Sequence, residues 1–87
     1  METIEYPIDG TLDLHTFSPK EVKELVPDYI EACHGKGIRQ VRIIHGKGVG
    51  NLRRTVRAIL EKNLLVDRFW HEGAAGSWGA TVAKLIE

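Results

Sequence analysis

Apolar and polar positions along this chain of 87 residues follow two periods that switch several times. Leu12-Asp13-Leu14-His15 has period two, the mark of a strand whose leucines share one face and whose Asp13 and His15 share the other. A helix follows. Ser18 is placed to cap it, Pro19 takes the first helical position and Glu21 completes a capping box, with Phe17 and Val22 at the staple positions. Val22, Leu25, Val26, Tyr29, Ile30 and Cys33 form its apolar stripe, and Pro27 predicts a kink. Gly35 or Gly37 ends the helix ahead of a strand, Val41-Arg42-Ile43-Ile44. After a glycine-rich turn a second helix carries Leu52, Val56, Ile59 and Leu60 on one face. Val66 to His71 reads as a third strand and Trp78 to Leu85 as a fourth.

The order βαβαββ, with right-handed crossovers, makes the first three strands parallel and adds the last antiparallel. The expected fold class is therefore an α/β two-layer sandwich, one mixed four-stranded sheet with both helices on one face. Residues 10–87 are expected to form a single domain, preceded by an arm over residues 1–9 in which Ile4, Tyr6 and Ile8 alternate around Pro7.

Composition narrows the function classes. A domain this small buries about 60 to 65% of its unfolded surface, which leaves little room for a large enclosed substrate cavity. No apolar run is long enough to span a bilayer, and the acidic start Met1-Glu2-Thr3-Ile4-Glu5 lacks the layout of a secretion signal. With one cysteine, Cys33, no internal disulfide can form, and a cytoplasmic location without membrane partners is expected. The formal net charge of zero hides a division. Residues 1–31 hold eight acids and two bases, whereas residues 32–62 hold eight bases and a single acid, Glu61. Such segregation predicts a local basic surface for a polyanion.

The candidate chemistry centres on His45-Gly46-Lys47-Gly48-Val49-Gly50-Asn51-Leu52-Arg53-Arg54, a strand end, a glycine loop and a helix that opens on cations. Cations in a first turn oppose the helix dipole by about 0.3 to 1 kcal/mol each. An anion held by the amides of Gly46, Gly48 and Gly50 with Lys47, Arg53 and Arg54 reverses that sign, so a phosphate is the expected partner. Arg57 either tracks a neighbouring phosphate or is an ordinary solvated residue. Trp78, beside Gly79, either stacks on an unpaired base or caps the core. The topology brings the ends of the parallel strands to one edge of the sheet, so Asp13, His15, His45, Lys47, His71, Glu72, Ser77 and Trp78 are expected on a common rim. For Asp13 and His15 the choice is between an acid-base pair and the polar face of an amphipathic strand. No ligand pair has zinc-like spacing and no metal ligand is assigned; a requirement for magnesium or manganese is left open. The loop is not the Gly-x-Gly-x-x-Gly of dinucleotide-binding folds.

Leu12-Asp13-Leu14-His15, His45-Gly46-Lys47-Gly48 and Gly76-Ser77-Trp78-Gly79-Ala80-Thr81-Val82, in that order, resemble the three motifs of the Smr (small MutS-related) domain family. The resemblance implies a sheet of order 1-2-4-3, similar to the C-terminal domain of bacterial translation initiation factor three. It also implies nucleic-acid binding with endonuclease activity on phosphodiester bonds, in RNA ahead of nicked or branched DNA, and a partner that is nucleic acid or the ribosome. Asp13, His15 and His45 are then the catalytic candidates. Gly46, Lys47, Gly48, Gly50, Arg53, Arg54, Arg57, Trp78 and Gly79 are the candidates for phosphate or nucleic-acid binding. The alternatives are a non-catalytic nucleic-acid or ribosome-binding module using the same loop, and a protein-interaction domain. Thr16-Phe17 departs from the glycine that many members place after the first motif; Phe17 as a helix staple accounts for it.

Overall fold

The computed structural model of the protein describes residues 8–46, 51–72 and 79–87. Its elements are β1 (Thr11–Asp13), α1 (Pro19–Gly35), β2 (Gln40–Ile44), α2 (Asn51–Lys62), β3 (Val66–His71) and β4 (Ala80–Leu85). They form one sheet of order β1-β2-β4-β3. β1 and β2 pair in parallel, and β4 runs antiparallel to both β2 and β3. The sandwich and strand order match the expectation.

Chain entry into β1 is fixed by Gly10 and Tyr29. Gly10 sits at φ +100°, and a Cβ there would lie 3.2 Å from the Gln40 carbonyl oxygen, so only glycine fits. Its N–H donates to the Tyr29 phenol oxygen at 3.1 Å, and that phenol donates to the Thr11 carbonyl at 3.0 Å. Burial pushes the Tyr29 hydroxyl up to about 12, keeping it a neutral donor.

α1 starts as its residues dictate. The Ser18 Oγ accepts from the Glu21 N–H at 3.3 Å and the Glu21 carboxylate accepts from the Ser18 N–H at 2.8 Å, a reciprocal cap worth about 0.5 to 2 kcal/mol. Helix runs through Pro27 to Gly35, and Gly37, at φ +84°, makes the left-handed turn beyond it. Val22, Val26, Tyr29, Ile30 and Cys33 bury the predicted stripe; α2 adds Val56 and Leu60. Each such side chain contributes about 1.5 to 3 kcal/mol when taken from water.

Against the helices lie Leu12, Val41, Ile43, Ala83 and Leu85, alternate positions of their strands. The intervening positions, Thr11, Asp13, Arg42, Ile44, Arg68 and Trp70 among them, turn to the other face of the sheet. On that open face the Arg42 guanidinium grips Glu72, with Nε to Oε2 at 2.8 Å and a terminal nitrogen to Oε1 at 2.6 Å, tying β2 to the end of β3 across β4. β4 begins at Ala80; the expected start at Trp78 lies outside the described residues.

Candidate functional site

The strand register places Asp13 beside Ile44, Ile44 beside Ala80, and His71 beside Thr81. Asp13, His45, Gly79 and His71 therefore gather along one rim, where neighbouring strands are about 4.8 Å apart. The candidates divide between the two sides of that rim.

On the open side stand Asp13 and His15. One Asp13 carboxylate oxygen accepts from the His15 backbone N–H at 3.0 Å and lies 2.8 Å from its ring Nδ1. These two bonds to His15 hold the carboxyl below the usual aspartate value. The carboxylate selects the tautomer with a proton on Nδ1, leaving Nε2 on the far side of a ring whose side chain is 72% exposed. An oriented, solvent-facing imidazole is equipped to exchange a proton with a bound molecule.

On the helix side His45 is 6% exposed, and both its ring nitrogens are engaged. Nδ1 lies 3.0 Å from the Gly46 carbonyl oxygen and Nε2 lies 2.8 Å from the Thr81 hydroxyl. Burial pushes the imidazole below the ordinary histidine value; the bond to Gly46 opposes this, and His71 and Arg53 add to it. His45 is thus held neutral as a bridge between its own loop and β4. The His71 ring stands edge-on to it at 6.5 Å, with its Nδ1 3.3 Å from the same Thr81 oxygen.

The glycine loop differs from expectation in one respect. Gly46 was expected to offer a free amide to an anion, but its N–H donates to the Gly79 carbonyl at 2.8 Å. The His45 N–H donates to the same oxygen at 2.8 Å. Gly46, at φ +82°, turns the chain so that both amides reach one acceptor, and an ideal Cβ on Gly79 would lie 3.5 Å from the Gly46 Cα. Gly46 and Gly79 fasten the second motif to the third. Lys47, Gly48, Gly50 and Trp78 lie outside the described residues.

The cations of α2 do converge. Arg53, Arg54 and Arg57 line a cleft of about 250 Å³ together with His71. Among the described residues only Arg57 of the three has a carboxylate within 4 Å, an exposed i,i+4 contact to Glu61 at 3.7 Å. A larger groove of about 660 Å³, lined by Lys23, Arg54, Thr55, Ala58, Ile59 and Lys62, runs over the helices and contains no motif residue and, of the binding candidates, only Arg54. The cleft at the rim, with three guanidiniums beside an imidazole, is the arrangement suited to an anion. The sequence places His71 on the rim but gives no separate role to Thr81. A threonine at an inward position between Ala83 and the rim was the available signal, because a buried hydroxyl needs a partner. Among the described residues no group of three or more histidine, cysteine or acidic side chains is arranged to hold a metal ion, and no helix is long and apolar enough to cross a membrane.

Comparison with known proteins places this architecture. The Smr domain profile matches residues 12–86. The endonuclease MutS2 of Caldicellulosiruptor saccharolyticus is 34% identical over 83 residues, covering 93% of this chain and 10% of that protein. The MutS2 of Symbiobacterium thermophilum is 39% identical over 77 residues, with 87% and 10% covered. The chain thus spans about a tenth of the length of these relatives. The crystal structure of the Smr domain of Thermus thermophilus MutS2 superposes with a TM-score of 0.81 at 29% identity, covering 88% of this chain and 98% of that one. YdaL, a stand-alone small MutS-related protein from Escherichia coli, gives 0.80 at 28% identity, covering 95% of this chain and 69% of its own. Three motifs in order, the shared strand order and a profile match over nearly all of its length make this chain a member of the Smr domain family.

Proposed function

We propose that this domain binds nucleic acid through the arginine-lined cleft and cleaves phosphodiester bonds with the Asp13-His15 pair. The observation that carries the reading is the oriented, exposed imidazole of His15 on the same rim as three convergent guanidiniums. Relatives named as endonucleases contain the same domain, which supports it further.

Arg53, Arg54 and Arg57 bind backbone phosphates, and Lys47, one residue beyond Gly46, adds a further cation. In RNA the 2′-oxygen attacks phosphorus while His15 Nε2 takes its proton; the bond from phosphorus to the 5′-oxygen breaks, and the leaving oxygen takes up a proton. Asp13 fixes the His15 tautomer and stabilises the imidazolium that forms. His45 does not exchange protons in this scheme: buried and bonded at both nitrogens, it shapes the loop. Such a role replaces the catalytic one its motif position invites.

The test is cleavage of labelled single-stranded RNA and of nicked and branched DNA, with and without chelator, by wild type, His15→Gln and Asp13→Asn. Cleavage by wild type and its loss in both variants is the expected result. Equal activity in all three would remove Asp13 and His15 from the chemistry. The second reading, binding without cleavage, draws on the engagement of both His45 nitrogens, which leaves the motif histidines with one free ring rather than two. Under it no substrate is cut under any metal condition, while Arg53→Ala still weakens binding and reduces the salt slope by about 1.

A further inference from the structure

His71 closes the arginine cleft at the end of β3, and its protonation is tied to a buried chain of hydrogen bonds. The Gly46 carbonyl can only accept, so His45 Nδ1, 3.0 Å away, carries the proton of that neutral ring. His45 Nε2 is then bare and accepts the Thr81 hydroxyl proton at 2.8 Å. Thr81 is wholly buried, and with its proton spent its oxygen can only accept. The donor at 3.3 Å is therefore His71 Nδ1, an N–H. This pattern orients the His71 ring and leaves Nε2 as its one outward nitrogen, on an exposed residue whose other neighbours in the cleft are Arg53, Arg54 and Arg57.

From this geometry we infer that His71 is a phosphate-contact residue, which takes up a proton at Nε2 as it binds a nucleic-acid phosphate alongside the three arginines. The inference rests on the nucleic-acid reading above and extends it: binding becomes coupled to proton uptake on the helix side of the rim. With Nδ1 already committed as a donor, protonating Nε2 turns the cleft-facing nitrogen from an acceptor, which repels a phosphate oxygen, into a charged donor, which bonds it. An arriving phosphate both neutralises the guanidiniums and favours the imidazolium. Among the described residues, the charged groups around the ring are Arg53, Arg54 and Arg57 from α2; His45, from the segment after β2, is neutral, and β4 presents the uncharged Thr81. Glu72, next along β3, is turned to the open face and held by Arg42.

The experiment measures the affinity of wild type, His71→Gln and His71→Ala for a short labelled single-stranded RNA between about pH 5.5 and pH 8.5, bracketing ordinary histidine titration. Alongside it, the ¹⁵N resonances of the His71 ring are followed as inorganic phosphate is added. Wild type should bind about tenfold more tightly at the acid end, the size of one charge-assisted bond. Both variants should lose that gain while still binding at the alkaline end. The Nδ1 resonance should be that of an N–H throughout, and Nε2 should move toward the protonated position with phosphate. Wild type and both variants sharing one affinity and one pH slope would overturn the role of His71 and leave the nucleic-acid reading standing. Failure of wild type to bind RNA, together with no movement of Nε2 in phosphate, would overturn both. The phosphate titration needs only wild-type protein, so poor folding of a variant does not blunt the test.

Discussion

The two sides of the rim solve opposite problems with the same residue type. On the open side His15 is held by one carboxylate and otherwise faces water; on the helix side His45 is sealed in and spends both nitrogens on the protein itself. An exposed imidazole with one fixed nitrogen can move protons but adds little to stability. A buried one with both fixed adds stability and is withdrawn from exchange. Motif membership does not distinguish them; solvent access and the count of hydrogen bonds do.

The largest effect that tests this contrast is catalytic. His15→Gln should lower the cleavage rate by about 10² to 10⁴-fold, the usual worth of a positioned acid-base group. Its denaturant midpoint should stay close to wild type, within about 0.5 kcal/mol, as for an exposed site. A large stability loss in this variant would make His15 structural and erase the distinction. On the helix side the balance reverses. Thr81→Val removes the hydroxyl that serves His45 Nε2 and should cost about 1 to 3 kcal/mol in urea unfolding, because a buried acceptor is left unmet. Next in size is Gly46→Ala, expected to lose about 1 to 2 kcal/mol because a side chain is strained at φ +82°. A neutral result there would mean that the loop can turn without glycine.

The smallest effect is a difference in acid response. His45 is held below 6.5, so the unfolded chain binds its proton first; the stability it contributes is complete above that value and is lost as pH falls toward its folded value. Asp13 is held below 3.8, and its share is likewise present above that value and lost only in stronger acid. Thermal midpoints followed downward from neutral pH should therefore decline in two stages, the first flattened in His45→Gln and the second in Asp13→Asn. A single decline confined to the carboxylate range would show that His45 protonates as readily folded as unfolded.

Much of the fold was legible because local signals agreed with one another. Ser18, Pro19 and Glu21 announce a helix start whatever the surroundings, and β3 follows from period and flanking residues alone. The orientation of His45 was also open to reading: Val41 and Ile43 point inward, so the next alternate position points inward too. Reading the glycines after it as a ligand loop obscured that. What sequence could not provide was pairing between distant segments. Arg42 and Glu72 are thirty positions apart and meet only because β4 separates their strands. A loop amide such as that of Gly46 is equally suited to a phosphate oxygen and to a carbonyl, and only the folded register shows that Gly79 is there to take it.

The Gly79 carbonyl, which collects two amides from across the sheet, has a consequence for reading other chains of this kind. The glycines of the second and third motifs that meet at this junction clamp one turn against another, and they would be required in a copy that had lost every dealing with a ligand. Finding them therefore certifies the scaffold. To judge whether such a chain also carries the proposed activity, one should inspect instead the side chains at positions 13, 15, 53 and 71, which take no part in that junction.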